Sequence, residues 1–161
     1  MTFLRLVVFY LFCVTAHWWL GTHFAPAGIT PSILLAATVA VAVAAGPLAA
    51  HAFGFMCGVY LDFAAPHLFG GYALAFTIGT YLIWFFKWRM DFSNPASQMV
   101  LAFMLTILTG VIYGAAGMIF MNKFIWRGWA YTIFMPFANA VIAPVFFACA
   151  RLLALDSEGN D

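Results

Sequence analysis

Six runs of apolar residues, at about 3–20, 29–45, 48–63, 71–86, 98–121 and 129–153, alternate with short clusters of polar, glycine and proline positions. Each run approaches the roughly 20 residues that a helix needs to cross a bilayer core. The runs are continuous rather than alternating, which excludes the strands of a membrane barrel and leaves helices. The pattern therefore predicts an all-α fold: one integral membrane domain, 1–161, built as a bundle of six transmembrane helices with a short polar tail at 154–161.

The breaks carry their own chemistry. GTHFAPAG separates the first two runs, and Pro31 falls near the start of the second, where a missing N–H costs little. Gly46-Pro47, AAPHLFGG, MDFSNPAS and NKFIWRG make the remaining breaks. Val14 to Ala16, VTA, faintly resembles a leader cleavage site, but WWL follows at once and suits a membrane interface. The first run is read as a retained span.

Composition sharpens this picture. Hydrophobic residues make up 66% of the chain and charged residues only 7%, too few for a soluble surface. The charges are clustered: Arg5, then Asp62, then Lys87, Arg89 and Asp91, then Lys123 and Arg127, then Arg151 and the acidic tail. With both termini cytoplasmic, the inner side receives Arg5, Lys87, Arg89 and Arg151, and the outer side receives Lys123 and Arg127. That asymmetry favours cytoplasmic termini. Trp18, Trp19, Trp84, Trp88, Trp126 and Trp129 fall at span ends, where indole rings anchor at the headgroup level. A net charge of +1 without a basic patch gives no footprint for nucleic acid.

Catalytic and cofactor chemistry find little to work with. Cys13, Cys57 and Cys149 lie inside apolar runs with no ligand spacing and read as packing residues. His17, His23, His51 and His67 are scattered, with no i, i+4 pair to hold a haem or a metal. GFMCG lacks the Lys-Ser/Thr pair of a phosphate loop. One acid inside the membrane and three in the last six residues leave few groups for general acid–base work. The reading is a non-enzyme with no catalytic, metal or cofactor residues.

The informative stretch is the third run. Ala50, Gly54, Gly58 and Asp62 are spaced by four and share one helix face. Small residues let helix backbones approach where lipid supplies no hydrophobic drive, so the stripe reads as a seam for helix packing or for a partner. An acid at the end of a span points inward or at a partner, with His67 a candidate companion. The fifth run repeats the device with Gly110, Gly114 and Gly117, and places Tyr113 on the same side. The sixth carries Pro136, Asn139 and Pro144. Asn139 needs a hydrogen bond in mid-membrane, and the carbonyls freed by Pro144 are its expected acceptors.

FGFMCGVYLD, followed by an apolar loop, Gly70, ALAF and a span ending near Tyr81, resembles MreD, the rod shape-determining membrane protein family. The likeness extends to Asn139, Pro144 and Phe147 of the sixth run and covers about residues 25–150. It implies a membrane scaffold in the bacterial inner membrane that serves cell elongation and peptidoglycan synthesis. The implied direct partner is MreC, with RodA, a class B penicillin-binding protein and MreB in the wider complex. A helix of MreC would dock on the small-residue stripe, with Asp62 or Asn139 fixing register. Lys87 and Arg89 would serve as a cytoplasmic loop contact. The family also resembles, in fold, the substrate-binding S components of energy-coupling-factor vitamin transporters. That likeness supplies the rival reading, with Tyr72, Thr77, Tyr113, Asn139 and the aromatics near Trp126 as pocket candidates. A small membrane enzyme acting on lipid is a third reading, short of acid–base groups.

Overall fold

Pro31-Ser32 and Asn94-Pro95 set two of the helix starts, and the two starts differ in what they build. The computed structural model describes residues 2–23, 31–64, 68–89, 91–126 and 128–153. Its helices are α1 (Thr2–His23), α2 (Ile33–Ala44), α3 (Pro47–Ala64), α4 (Gly71–Phe86), α5 (Pro95–Met121) and α6 (Trp129–Leu152), with a 3-10 turn at Lys87–Arg89.

The second run differs most from its expected bounds. Pro31 stands outside the helix, and Ser32 is the N-cap, its side chain accepting from the Leu35 N–H. Serine satisfies one of the donors that a helix start leaves open, which fixes the start at Ile33. The resulting helix has 12 residues, about 18 Å at 1.5 Å per residue, too short to cross a bilayer alone. Residues 29 and 30 lie outside the described residues. At the fifth run the helix begins at Pro95 rather than 98. Asn94 Oδ1 accepts the Ala96 N–H at 2.9 Å, and Pro95 occupies the first turn, where it loses nothing. At the other end of the first run, α1 continues past 20 to His23.

α2 is the core of the bundle. Ten of its twelve residues are buried, and it packs against each of the other five helices. A helix that is apolar on every face needs such a wrapping. α3 and α4 form one antiparallel hairpin around it, and α5 and α6 form another. α1 is the outlier: Phe9 and Cys13 face inward, Phe9 stacked on Phe53 of α3 at 5.9 Å, while most of its side chains face out. Among the described residues three helices, α1, α5 and α6, are long and apolar enough to cross a membrane, so the chain is a membrane protein.

One end of the bundle is tied by arginines. Arg5 Nη1 donates to the Leu153 carbonyl at 3.5 Å, which brings the start of α1 to the end of α6. Arg151 Nη2 donates to the Phe92 carbonyl at 3.1 Å, and Gln98 Nε2 donates to the same oxygen at 2.8 Å. These bonds hold the α4–α5 connection against the last turn of α6, where a cation also suits the helix dipole.

Candidate functional site

Asp62 is spent inside the fold. Its Oδ1 accepts the backbone N–H of Tyr72 at 2.8 Å, and its Oδ2 accepts that of Ala73 at 2.9 Å. The residue before α4 is Gly70, at φ 91°, which has no side chain to cap the helix. Asp62 supplies from α3 what the N-cap lacks, and its negative charge faces the positive end of the helix. His67, its expected companion, lies outside the described residues.

The stripe behind Asp62 faces α4 rather than an open groove. Ala50, Gly54, Gly58 and Asp62 are all buried. A Cβ on Gly58 would lie 2.5 Å from Ala73 Cα and 2.6 Å from the Tyr72 carbonyl oxygen, so only glycine fits. A Cβ on Gly54 would lie 2.6 Å from Thr80 Cγ2. This overturns the expectation that a partner helix docks on the stripe, because α4 of the same chain already fills it. Gly114 and Gly117 behave likewise toward the segment after α5. There a Cβ would meet the Phe124 ring at 2.6 Å and Ile125 Cγ1 at 2.6 Å. Asn122, at φ 52°, turns the chain back to make that cover.

Asn139 is fully buried and departs from its expected partners. Its Oδ1 accepts the Ser32 N–H at 2.7 Å, and its Nδ2 donates to Thr106 Oγ1 at 3.0 Å. Thr106 in turn donates to the Ala102 carbonyl at 2.7 Å. The carbonyls near Pro144 are therefore not its acceptors, and α6 runs unbroken through both Pro136 and Pro144. Asn139 and Thr106 each sit near the midpoint of their helices. Because Asn139 meets Ser32, α2 begins near the midpoint of α6, with its N-terminus turned toward the space between α5 and α6.

That space is a cleft of about 790 Å³. Ser32, Asn139, Thr106 and Thr109 contribute its polar lining, and Gly110 and Pro136 border it. Tyr72 and Tyr113 line it as a stacked pair, 4.3 Å between centroids and 26° between planes. Trp126 and Trp129 contribute further aromatic lining, edge to face at 4.6 Å, with Trp126 Nε1 donating to Thr132 Oγ1 at 2.8 Å. Among the described residues the lining holds no Asp, Glu, Lys or Arg. His17 of α1 reaches it with a buried Nδ1 that has no hydrogen-bond partner among the described residues.

The pocket candidates Tyr72, Tyr113, Asn139 and Trp126 meet in this cleft, whereas Thr77 does not line it and donates to the Ala73 carbonyl at 2.7 Å. Sequence reasoning missed Ser32, Thr106 and Thr109. The signal for the last two was present, since Thr106, Thr109 and Tyr113 share a helix face at i, i+3 and i+7. The other histidines stay apart. His51 bonds the Pro47 carbonyl, and His23 Nδ1 lies 2.8 Å from Thr22 Oγ1. Among the described residues no cluster of His, Cys, Asp and Glu could hold a metal. Lys87 is half-buried and Arg89 exposed, both in the 3-10 turn after α4. In the loop beyond them, the Ser93 N–H at 2.9 Å holds the exposed Asp91 carboxyl below the usual carboxylate range.

These features define an α-helical membrane protein whose buried polar residues secure helix starts around a cleft with no Asp, Glu, Lys or Arg among its described lining residues. A scan against protein-family models finds none that matches the chain, and searches of curated proteins and of solved structures return no similar protein.

Proposed function

We propose that this chain is a non-enzymatic scaffold of the MreD type, seated in the bacterial inner membrane and serving the cell-elongation complex. The observation that carries the reading is a coincidence of roles. The residues that give the resemblance, Gly54, Gly58, Asp62, Gly70 and Asn139, are those that pack α3 on α4 or secure the starts of α4 and α2. A family defined by such a motif would share this bundle.

In this reading the chain crosses the bilayer six times, with α2 buried at the centre of the bundle. The arginine-tied end, together with Lys87 and Arg89, faces the cytoplasm by the positive-inside rule. MreC then meets the outward apolar faces of the bundle, since the small-residue stripe is occupied. RodA, the class B penicillin-binding protein and MreB belong to the wider assembly, and the Lys87–Arg89 turn is the cytoplasmic contact. The test is purification from native membranes with identification of co-purifying proteins. MreC in the eluate supports the scaffold, and its absence from a folded, native preparation overturns it.

The cleft favours a second reading, a solute-binding subunit like the S components of energy-coupling-factor transporters. Saturable uptake dependent on a partner ATPase would select it over the scaffold.

A further inference from the structure

Two polar side chains border the cleft without a hydrogen-bond partner among the described residues, one through an oxygen that opens on the cleft and one through a buried ring nitrogen. Thr109 is only 6% exposed and makes no hydrogen bond among the described residues. The buried Nδ1 of His17 is likewise unpartnered. A buried polar group without a bond costs free energy and calls for a bound molecule or water to satisfy it. Both groups line the same space, on opposite helices α5 and α1. That space also receives the N-terminus of α2 near the midpoint of α6.

The lining limits what can fill it. With no Asp, Glu, Lys or Arg among the described lining residues, a charged ligand would be desolvated with no counter-charge to meet it. The hydroxyl of Thr109 favours an acceptor oxygen, whereas the first N–H groups of α2 are already taken by Asn139, Pro31 and Ser32. The stacked Tyr72–Tyr113 pair and the rings of Phe76, Trp126 and Trp129 favour a flat ring body. A volume of about 790 Å³ is that of a small-molecule pocket.

The geometry points to a binding site for an uncharged, ring-bearing molecule that carries a carbonyl or similar acceptor oxygen, the oxygen directed at Thr109. This chemistry occurs both in membrane-dissolved quinone-like compounds and in water-soluble heteroaromatics. The inference rests on the cleft alone, supplies a ligand class for the solute-binding reading, and is compatible with a scaffold that carries a bound molecule.

The test uses the full chain in nanodiscs and flow dialysis with radiolabelled 2,3-dimethyl-1,4-naphthoquinone. Its ring positions are blocked against thiol addition, and 2,3-dimethylnaphthalene is the oxygen-free control. Saturable one-to-one binding above protein-free discs is expected. Gly110→Phe should weaken it at least tenfold, since a Cβ there meets nothing within 4 Å and the ring would extend into the cleft. Thr109→Val, which keeps the shape, should weaken quinone binding roughly fivefold and leave the naphthalene unchanged. Partition equal to blank discs overturns the site. So does quinone binding indifferent to Gly110→Phe, or an equal loss of both probes in Thr109→Val.

Mass spectrometry of an organic extract of the natively purified protein, and of protein loaded from aqueous cell extract, separates the two sources. An uncharged oxygenated ring compound from either supports the site and names its phase. A cleft that holds a charged compound, or water only, overturns it. MreC co-purification is a separate readout, so its loss with quinone binding intact defeats only the scaffold.

Discussion

Asp62 and Tyr72 are joined by a 2.8 Å bond from a backbone N–H at the start of one helix to a carboxylate on the helix before it. The adjacent Ala73 N–H takes the other oxygen, so both carboxylate oxygens serve one helix start. Asp62→Leu would leave two buried N–H groups without acceptors, each costing roughly 1–3 kcal/mol. Asp62→Asn keeps one acceptor and should fall between Leu and the native residue. Thermal midpoints of the purified protein in one detergent would order the three, and equal midpoints for Asn and Leu would refute the two-bond account.

The glycines on helix faces should separate by what surrounds them. At Gly58 the nearest neighbours of a new Cβ are backbone atoms of Tyr72 and Ala73, which cannot move without shifting α4. Gly58→Ala should lie at the upper end of the roughly 1–3 kcal/mol cost of overpacking. At Gly54 the obstacles are the side-chain methyls of Thr80 and Thr38, so Gly54→Ala should cost less. Gly110 has open space around it, and alanine there should stabilise α5 by roughly 0.5–1 kcal/mol through helix propensity. Unfolding midpoints for the three variants test the order, and a Gly110→Ala loss as large as that at Gly58 would contradict it.

The helices themselves are legible because apolar runs of bilayer length admit one backbone solution. Asn94-Pro95 announces the start of α5 by the usual cap chemistry, and a reading by hydropathy alone starts it three residues late. What the sequence does not carry is which helix meets which. Asn139 and Ser32 are 107 positions apart, and nothing local to either says that they bond. Asp62 looks the same in sequence whether it faces headgroups, a partner or α4. The depth of α2 is hidden for a related reason. A helix apolar on every side suits lipid and protein interior equally, and only the packing of the other five decides. Thr109 was legible as a polar position, but its lack of a partner among the described residues follows only from the arrangement of α5 around the cleft.

Asn139 couples three helices, and the coupling is measurable. Asn139→Leu removes the acceptor of the Ser32 N–H and the donor to Thr106. The orphaned N–H alone should cost roughly 1–3 kcal/mol. Thr106→Val removes only the second bond and should cost about 1 kcal/mol. In the double variant the Thr106 loss should largely vanish, since its partner is already gone. A double-mutant cycle in denaturant would show an interaction of about 0.5–1 kcal/mol. Strict additivity would mean that the 3.0 Å contact contributes nothing.

The Phe92 carbonyl presents the opposite case, a buried acceptor held twice. Arg151 and Gln98 both donate to it, so either bond alone satisfies the oxygen. Gln98→Leu should therefore cost little while Arg151 remains, within about 0.5–1.5 kcal/mol for one hydrogen bond. Arg151→Met keeps the length of the aliphatic stem while removing the donor and should also be mild. Together the two substitutions strand the carbonyl on a residue that is 8% exposed, and the combined loss should exceed the sum of the single losses by roughly 1 kcal/mol or more. Amide exchange in the segment Asp91–Asn94 would rise in step, because those two bonds hold the loop to α6 and α5. If the double variant is merely additive and exchange in the loop is unchanged, the two donors do not share the oxygen, and the α4–α5 connection is held by something else.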